Sequence, residues 1–191
     1  MVRTEIAREL VMVVSRGRDP AREIFLDRCR EDAVPVLVRP TGGGAVVLGP
    51  GVVVGSALQV AALGCQFPEP YFGLFCGAVV EALAECGVAG AARRGTSDVC
   101  VGDRKVAGCS LRLWRGRVLF QVSVLVDLDL GLLDRYLRAP TREPAYRRGR
   151  PHREFITTMR SAGSYASCEK VAVALQAALA APRLRAGAAS V

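Results

Sequence analysis

Val34-Pro35-Val36-Leu37-Val38-Arg39-Pro40-Thr41-Gly42-Gly43-Gly44-Ala45-Val46-Val47-Leu48-Gly49-Pro50-Gly51-Val52-Val53-Val54 is the stretch whose reading decides the fold. Residues 34–38 form an apolar run that reads as a strand, and the chain leaves it through three consecutive glycines. Residues 45–48 and 52–54 then read as a hairpin turned at Gly49-Pro50-Gly51. Without Cβ atoms, the backbone N–H groups of the triple glycine can approach a ligand closely, and a nest of them suits phosphate or carboxylate oxygens. Glycine triplets also make ordinary hairpin loops, so this segment by itself leaves both readings open.

Upstream, residues 10–14 read as a buried strand and 20–29 as one helix. Downstream, Leu74, Phe75, Ala78, Val79, Ala82, Leu83 and Cys86 recur at helical spacing up to Gly87, a residue suited to the left-handed position after a helix end. Residues 99–101, 105–113 and 118–126 suggest a β-meander with turns at Gly102-Asp103 and Arg115-Gly116. Residues 129–137, 153–159 and 168–181 suggest helices. Runs of strands with helices between them predict an α+β fold, a mixed or antiparallel sheet flanked by helices. The length of 191 residues suits one domain over 1–181, with 182–191 expected to be a flexible tail of small residues and arginine.

A second segment, Thr96 to Gly108, sets Asp98 seven residues before Lys105 across a tight turn, with Gly108 three residues after the lysine. Two strands of one hairpin can aim both side chains into one cleft. Lys105 also stands out against the composition: of the 26 basic residues other than histidine, 24 are arginine, leaving only Lys105 and Lys170. A compact ammonium fits between a carboxylate and a phosphate where a planar guanidinium needs more room. A solvated lysine beside a charged turn is the competing reading.

The formal net charge of +8 steers anionic partners without choosing among them. Aromatic residues are few and are not interleaved with arginine, which disfavours a nucleic-acid surface. Ser15, Arg39 and Glu81 interrupt the runs that come nearest to the roughly eighteen apolar residues of a membrane span, so none is expected. Arg3, Glu5, Arg8 and Glu9 do not suit a secretory signal, and a cytoplasmic location is expected. The seven cysteines form no CxxC pair, so neither a metal site nor disulfides are expected.

Residues 39–47 resemble the Arg-Arg-x-Ser-Gly-Gly-Gly-Ala-Val motif of lipoate-protein ligases, and 98–108 resemble their Asp-x-x-x-x-Gly-(Arg/Lys)-Lys-x-x-Gly segment. Pro144 to Phe155 is similar to the Pro-x-Tyr-Arg-x-x-Arg-x-His-x-x-Phe stretch of a single-domain branch of that family, and Gly49-Pro50-Gly51 fits the same branch. The likeness runs in order over residues 10–159, which one chance motif would not do.

The resemblance implies the biotin/lipoate protein ligase catalytic-domain fold and an ATP-dependent ligase. Such an enzyme activates lipoate or octanoate as an acyl-adenylate and passes it to a lysine of a lipoyl-domain acceptor. Lys105 would be catalytic, bridging the acyl carboxylate and the α-phosphate. Arg39, Thr41, Gly42, Gly43, Gly44, Ala45, Val46, Val47, Asp98 and Gly108 would line the nucleotide and acyl site. Residues 52–54 with Val106 would wall an apolar tunnel, magnesium would come with ATP, and the arginines of 147–153 would recruit an acidic lipoyl domain.

Three alternatives stay open. An octanoyltransferase needs a cysteine nucleophile, but Arg93-Arg94-Gly95 occupies the position where the closest transferases carry it, leaving Cys109 as the nearest substitute. A biotin protein ligase fits less well, since Arg16-Gly17-Arg18 matches its arginine loop only in part. A non-catalytic ligand-binding or acceptor-binding protein is suggested by Val54, Leu111 and Gln121, where the family carries other groups. An early start of the family pattern and the lack of a match to its accessory C-terminal domain suggest a missing opening segment and a separate accessory chain. His152, the single histidine, is given no role.

Overall fold

Strand β1 (Val2–Ile6) alternates half-buried Val2, Thr4 and Ile6 with exposed Arg3 and Glu5, the period of a half-covered edge strand. It pairs antiparallel with β5 (Val52–Val60), an element next to the opening stretch. The computed structural model describes residues 1–62 and 66–181, so Cys65 and the expected tail at 182–191 lie outside the described residues.

From β5 the large sheet continues through β9 (Arg117–Leu125), β8 (Arg104–Trp114), β7 (Asp98–Val101) and β6 (Ala91–Arg94), every neighbour antiparallel. The expected meander is thus present as β7-β8-β9. A smaller sheet sets β2 (Val11–Ser15) between parallel β3 (Val36–Arg39) and antiparallel β4 (Val46–Leu48).

Alternation along the central strands gives the large sheet two apolar faces. Val53, Ala57, Ala107, Cys109, Phe120, Val122 and Val124 pack under α3 (Pro68–Glu85) and α6 (Cys168–Ala180). Val52 and Leu125 look the other way, into a second cluster with Met12, Val14 and Val47 of the small sheet. Helix α3 begins with Pro68 in its first turn and buries Tyr71, Phe72, Phe75, Ala78, Val79, Ala82 and Leu83 on one stripe. Phe75 stacks on Phe120 with ring centroids 4.6 Å apart, adding ~0.5–1.5 kcal/mol to simple burial. The helix ends as expected at Gly87, whose φ of +84° lets Val88 N–H donate to Leu83 O and Gly87 N–H to Ala84 O.

Four sequence expectations change. The helix expected over 20–29 is two short ones, α1 (Pro20–Glu23) and α2 (Leu26–Glu31). Between them Ile24 is extended, fully buried, and bridged to Leu137, a tertiary contact that outweighs local helical preference. The helix expected over 129–137 is present as α4 (Gly131–Tyr136), whereas that over 153–159 shortens to α5 (His152–Phe155). Strands β1 and β6, the latter with an alternating pattern of only four residues, are additions. Finally, β4 and β5 are not a hairpin: β4 joins the small sheet and β5 the large one, so Gly49-Pro50-Gly51 carries the chain between sheets.

Gly51 is what this transfer requires. Its φ is +88°, its carbonyl accepts from the N–H groups of Val126 and Asp127, and a Cβ there would lie 2.5 Å from the Asp127 carbonyl. Gly51→Ala should cost about 3 kcal/mol, combining left-handed strain with a clash against main chain. Gly77, in α3 with open space where its Cβ would point, offers the opposite case. Gly77→Ala should stabilise by about 0.5–1 kcal/mol. Urea unfolding of the two variants should therefore shift in opposite directions.

Candidate active site

The hairpin β7-β8 is irregular in the place that matters. Asp98 lies opposite Gly108 and Val99 opposite Ala107, but Cys100 lies opposite Lys105, so Val106 is an extra residue. Val106 and Ala107 are both buried in the helix-side core, while Lys105 and Gly108 share the other face with Asp98. There Lys105 Nζ is 2.6 Å from Asp98 Oδ1, with the Asp98 side chain 10% exposed and that of Lys105 26% exposed. Gly108 makes room: a Cβ on it would sit 2.8 Å from both Cε and Nζ of Lys105. The ammonium therefore lies across the sheet over Gly108, held by one carboxylate oxygen, and partly open to solvent.

The triple-glycine loop is shaped from beneath. Arg39 Nη2 donates to the carbonyls of Gly42 (2.8 Å) and Gly44 (2.6 Å), Nε donates to Gly42 O (3.3 Å), and Nη1 donates to Val13 O (3.2 Å). Burial lowers the Arg39 pKa while nearby Glu23 favours its charge. Glu23 is itself buried, and its Oε2 accepts the Ala45 N–H at 3.1 Å, directly under Gly44. Arg39 thus organises the loop carbonyls with its guanidinium. Val46 and Val47 follow on β4, with Val47 buried in the second cluster.

Thr41 seats this loop on the large sheet. Its Oγ1 donates to Gln121 Oε1 at 2.7 Å, so the Ser110 hydroxyl at 2.9 Å is the donor to Thr41. Ser15 Oγ donates to Thr41 O at 2.8 Å. Ser110 and Gln121 are cross-strand partners, and the next pair on the same face is Gly108 with Ser123, the pair beneath Lys105. Two residues along an antiparallel strand span roughly 7 Å, so tertiary structure brings the two motifs to one face. Gln121, read from sequence as a departure from the family pattern, supports the loop through Thr41. Neither Glu23 nor Ser110 carried a sequence signal.

The third motif closes over the hairpin. Tyr146, on a 3₁₀ turn (Ala145–Arg147), donates its hydroxyl to Asp98 Oδ2 at 2.6 Å. Arg150 reaches Asp103 Oδ2 (2.8 Å) and O (3.0 Å), and Arg104 Nη2 reaches the carbonyls of Arg153 and Ile156. Arg147, buried at 6% exposure, and Arg150 both stack on Phe155, while Arg153 pairs with Asp134. Much of the expected recruiting stretch is therefore internal framework.

The thiols separate by face. Cys109 points to the helices, and a hydrogen bond with Cys76 together with burial pushes its pKa well up. Cys100 is the thiol on the Lys105 face, 3.4 Å from Tyr146 Oη, and burial pushes it up as well. Both are protonated near neutral pH, the form that is a poor nucleophile. Val52 and Val54 pack with the second cluster but Val53 and Val106 with the first, so these four do not wall one tunnel. A cavity of about 250 Å³ lined by Val80, Ala84, Gly87, Val88 and Ala91 lies at the far end of α3 and holds no titratable side chain.

His152 is more than a surface residue. Its Nε2 donates to Arg138 O at 3.1 Å, whereas Nδ1 is buried without a partner. Burial lowers its pKa below the ordinary 6.5. The unfolded chain then binds the proton more readily, so stability present above pH ~6.5 is lost as pH falls through and below that value. His152→Gln, which keeps a donor for Arg138 O, should flatten the loss of urea stability between about pH 7.5 and 5. An unchanged slope would show that His152 does not titrate between the two states.

The chain matches the lipoyl protein ligase A/B catalytic domain over residues 8–180. It is 29% identical over 121 residues to a lipoate-protein ligase of Streptococcus pyogenes, covering 63% of this chain and 34% of that protein. It is 34% identical over 116 residues to an octanoyl-GcvH:protein N-octanoyltransferase of Kyrpidia tusciae, covering 57% and 37%. The chain thus spans little more than a third of the curated relatives it matches. Its fold superposes on a bi-partite lipoate protein ligase of Thermoplasma acidophilum, studied with its E2 lipoyl domain, at a TM-score of 0.80 and 22% identity over 94% of this chain and 69% of that one. A lipoate-protein ligase A bound with ATP gives 0.78 and 21% over 94% and 70%. With the matched segment containing the triple-glycine loop, the lysine hairpin and the clamp that closes over it, the chain belongs to the lipoyl protein ligase A/B catalytic-domain family.

Proposed function

We propose that this chain binds lipoate or octanoate, activates it with ATP as an acyl-adenylate, and passes the acyl group to a lysine of a lipoyl-domain acceptor in the cytoplasm. The observation that carries the reading is the Lys105 ammonium, held 2.6 Å from Asp98 on the face where Thr41 seats the triple-glycine loop. In this scheme an acyl carboxylate oxygen attacks the α-phosphate and pyrophosphate leaves. The acceptor amine then attacks the acyl carbon, and AMP leaves. Lys105 stabilises the negative charge that builds in both steps, a preorganised electrostatic contribution. Gly42, Gly43 and Gly44 bring main chain close to the phosphates, with Arg39 and Glu23, the latter bonded to the Ala45 N–H, holding that loop in shape. Magnesium would arrive on the nucleotide phosphates. The net charge of +8 favours an acceptor with an acidic face.

Direct octanoyl transfer is the second reading, favoured by the 34% identity to the Kyrpidia tusciae transferase. Against it, Cys100 and Cys109 are buried, and both are shifted toward the protonated thiol.

Mass spectrometry of a lipoyl domain incubated with this protein, lipoate or octanoate, and ATP separates the readings. ATP-dependent mass gain supports the ligase, and gain only from an octanoyl carrier protein supports the transferase. Lys105→Ala should lower pyrophosphate release by about 10²–10³ while the protein stays folded, the scale for losing one preorganised charge-stabilising group. Release equal to wild type would remove Lys105 from the mechanism.

Ligand binding can be measured apart from turnover. A non-hydrolysable sulfamoyl mimic of lipoyl-adenylate should raise the melting temperature, because a ligand specific for the native state stabilises by mass action. No shift well above micromolar mimic would show that the site does not form in this chain.

A further inference from the structure

Tyr146 lies outside the glycine and lysine motifs in sequence, yet it bonds the carboxylate that holds Lys105. Asp98 Oδ1 faces Lys105 Nζ at 2.6 Å, and Oδ2 accepts the Tyr146 hydroxyl at 2.6 Å. Cys100, 3.4 Å from the same phenol oxygen, is then the donor to Tyr146, because the tyrosine proton is committed to Asp98. The ring is placed independently of its hydroxyl. It tilts against Phe155 at 5.3 Å between centroids and packs over Gly95, where a Cβ would come within 3.5 Å of the ring. The segment around it is tied to the hairpin by Arg150 on Asp103, Arg104 on Arg153 O and Ile156 O, and Thr157 N–H on Lys105 O.

A carboxylate facing a lone ammonium can turn both oxygens toward it and draw it back. With Oδ2 taken by the phenol, only Oδ1 faces Lys105. An ammonium carries three donors, so two remain for anionic oxygens arriving from the open side.

We propose that Tyr146 is a positioning residue for Lys105: its hydroxyl pins Asp98 so that the carboxylate holds the ammonium by one oxygen and leaves its other donors free for the acyl-phosphate. Burial, followed by the bond to Asp98, raises the Tyr146 pKa above its ordinary range, so the phenol remains a donor at every working pH. The proposal rests on the adenylation reading for its consequence in rate, but the placement of Lys105 can be measured without it.

Tyr146→Phe removes the donor and keeps the ring. The chain has two lysines, so isotopic labelling of lysine yields two side-chain ammonium signals in an NMR spectrum, Lys105 and Lys170. Tyr146→Phe should move the Lys105 signal and leave that of Lys170 in place. In the Asp98→Asn background the same substitution should change neither, the signature of an effect that passes through Asp98. Adenylate formation should fall about tenfold, the scale of one hydrogen bond to a charged group, with KM for ATP and acyl substrate unchanged. A Lys105 signal unmoved by Tyr146→Phe overturns the proposal, as does an equal loss with and without Asp98 or a loss confined to KM. If the wild-type protein forms no adenylate, the adenylation reading fails, and the lysine signal still decides whether Tyr146 positions Lys105.

Discussion

Strand side chains alternate between faces, and that rule would send Lys105 the wrong way. In an unbroken register from Asp98 opposite Gly108, Lys105 would stand opposite Val101, on the face of Val99 and therefore in the helix-side core. The extra residue, Val106, changes this: a bulge delivers two successive apolar side chains to the core and turns the lysine to the other face. Everything else at the site follows from that inversion. Asp98 meets the ammonium, Gly108 leaves space beneath it, and Tyr146 closes on the remaining carboxylate oxygen. Burying the pair stays tolerable because both oxygens of Asp98 are bonded and Lys105 keeps some solvent contact.

Around this centre, buried polar groups answer one another and so keep the glycine loop rigid. Arg39 takes up carbonyls that three glycines would otherwise expose, Glu23 takes the Ala45 N–H, and Thr41 joins the loop to Ser110 and Gln121. A loop of three glycines loses more conformational freedom on ordering than any other triplet, so it needs such contacts to hold one shape. The same economy applies to the arginines of the third motif. Arg147 and Arg150 lie on Phe155 and bond to main chain, because a planar guanidinium can stack and donate in several directions at once. Counting them as surface charge overstates how much of the +8 is available to a partner.

The strand, glycine and helix pattern of residues 34–87 was legible because apolar periodicity and glycine position are local signals. The meander was legible too, since two glycine turns bracket its long strands. Less visible were β1 and β6, short strands defined by the neighbours they pair with. The break at Ile24 was hidden for the same reason, its partner Leu137 being more than a hundred residues away. The supposed hairpin at 45–54 had a correct turn and incorrect pairing: Gly49-Pro50-Gly51 announces a change of direction but not which sheet receives each arm.

By itself the sequence determined the α+β class and the family, and it singled out the lysine, aspartate and glycines as candidates, because motif spacing and turn chemistry are written along the chain. Tertiary structure alone decided which face each side chain took and what each one touched. It placed Val106 in the core and Lys105 opposite it, turned Cys109 away and Cys100 toward the site, and made Gln121 a support for Thr41. It also placed Tyr146, forty-one residues beyond Lys105 in the chain, one carboxylate away from it in space. The physical reason is that a side chain's face depends on register, and register depends on bulges and on partners remote in sequence, neither of which leaves a periodic trace in the chain.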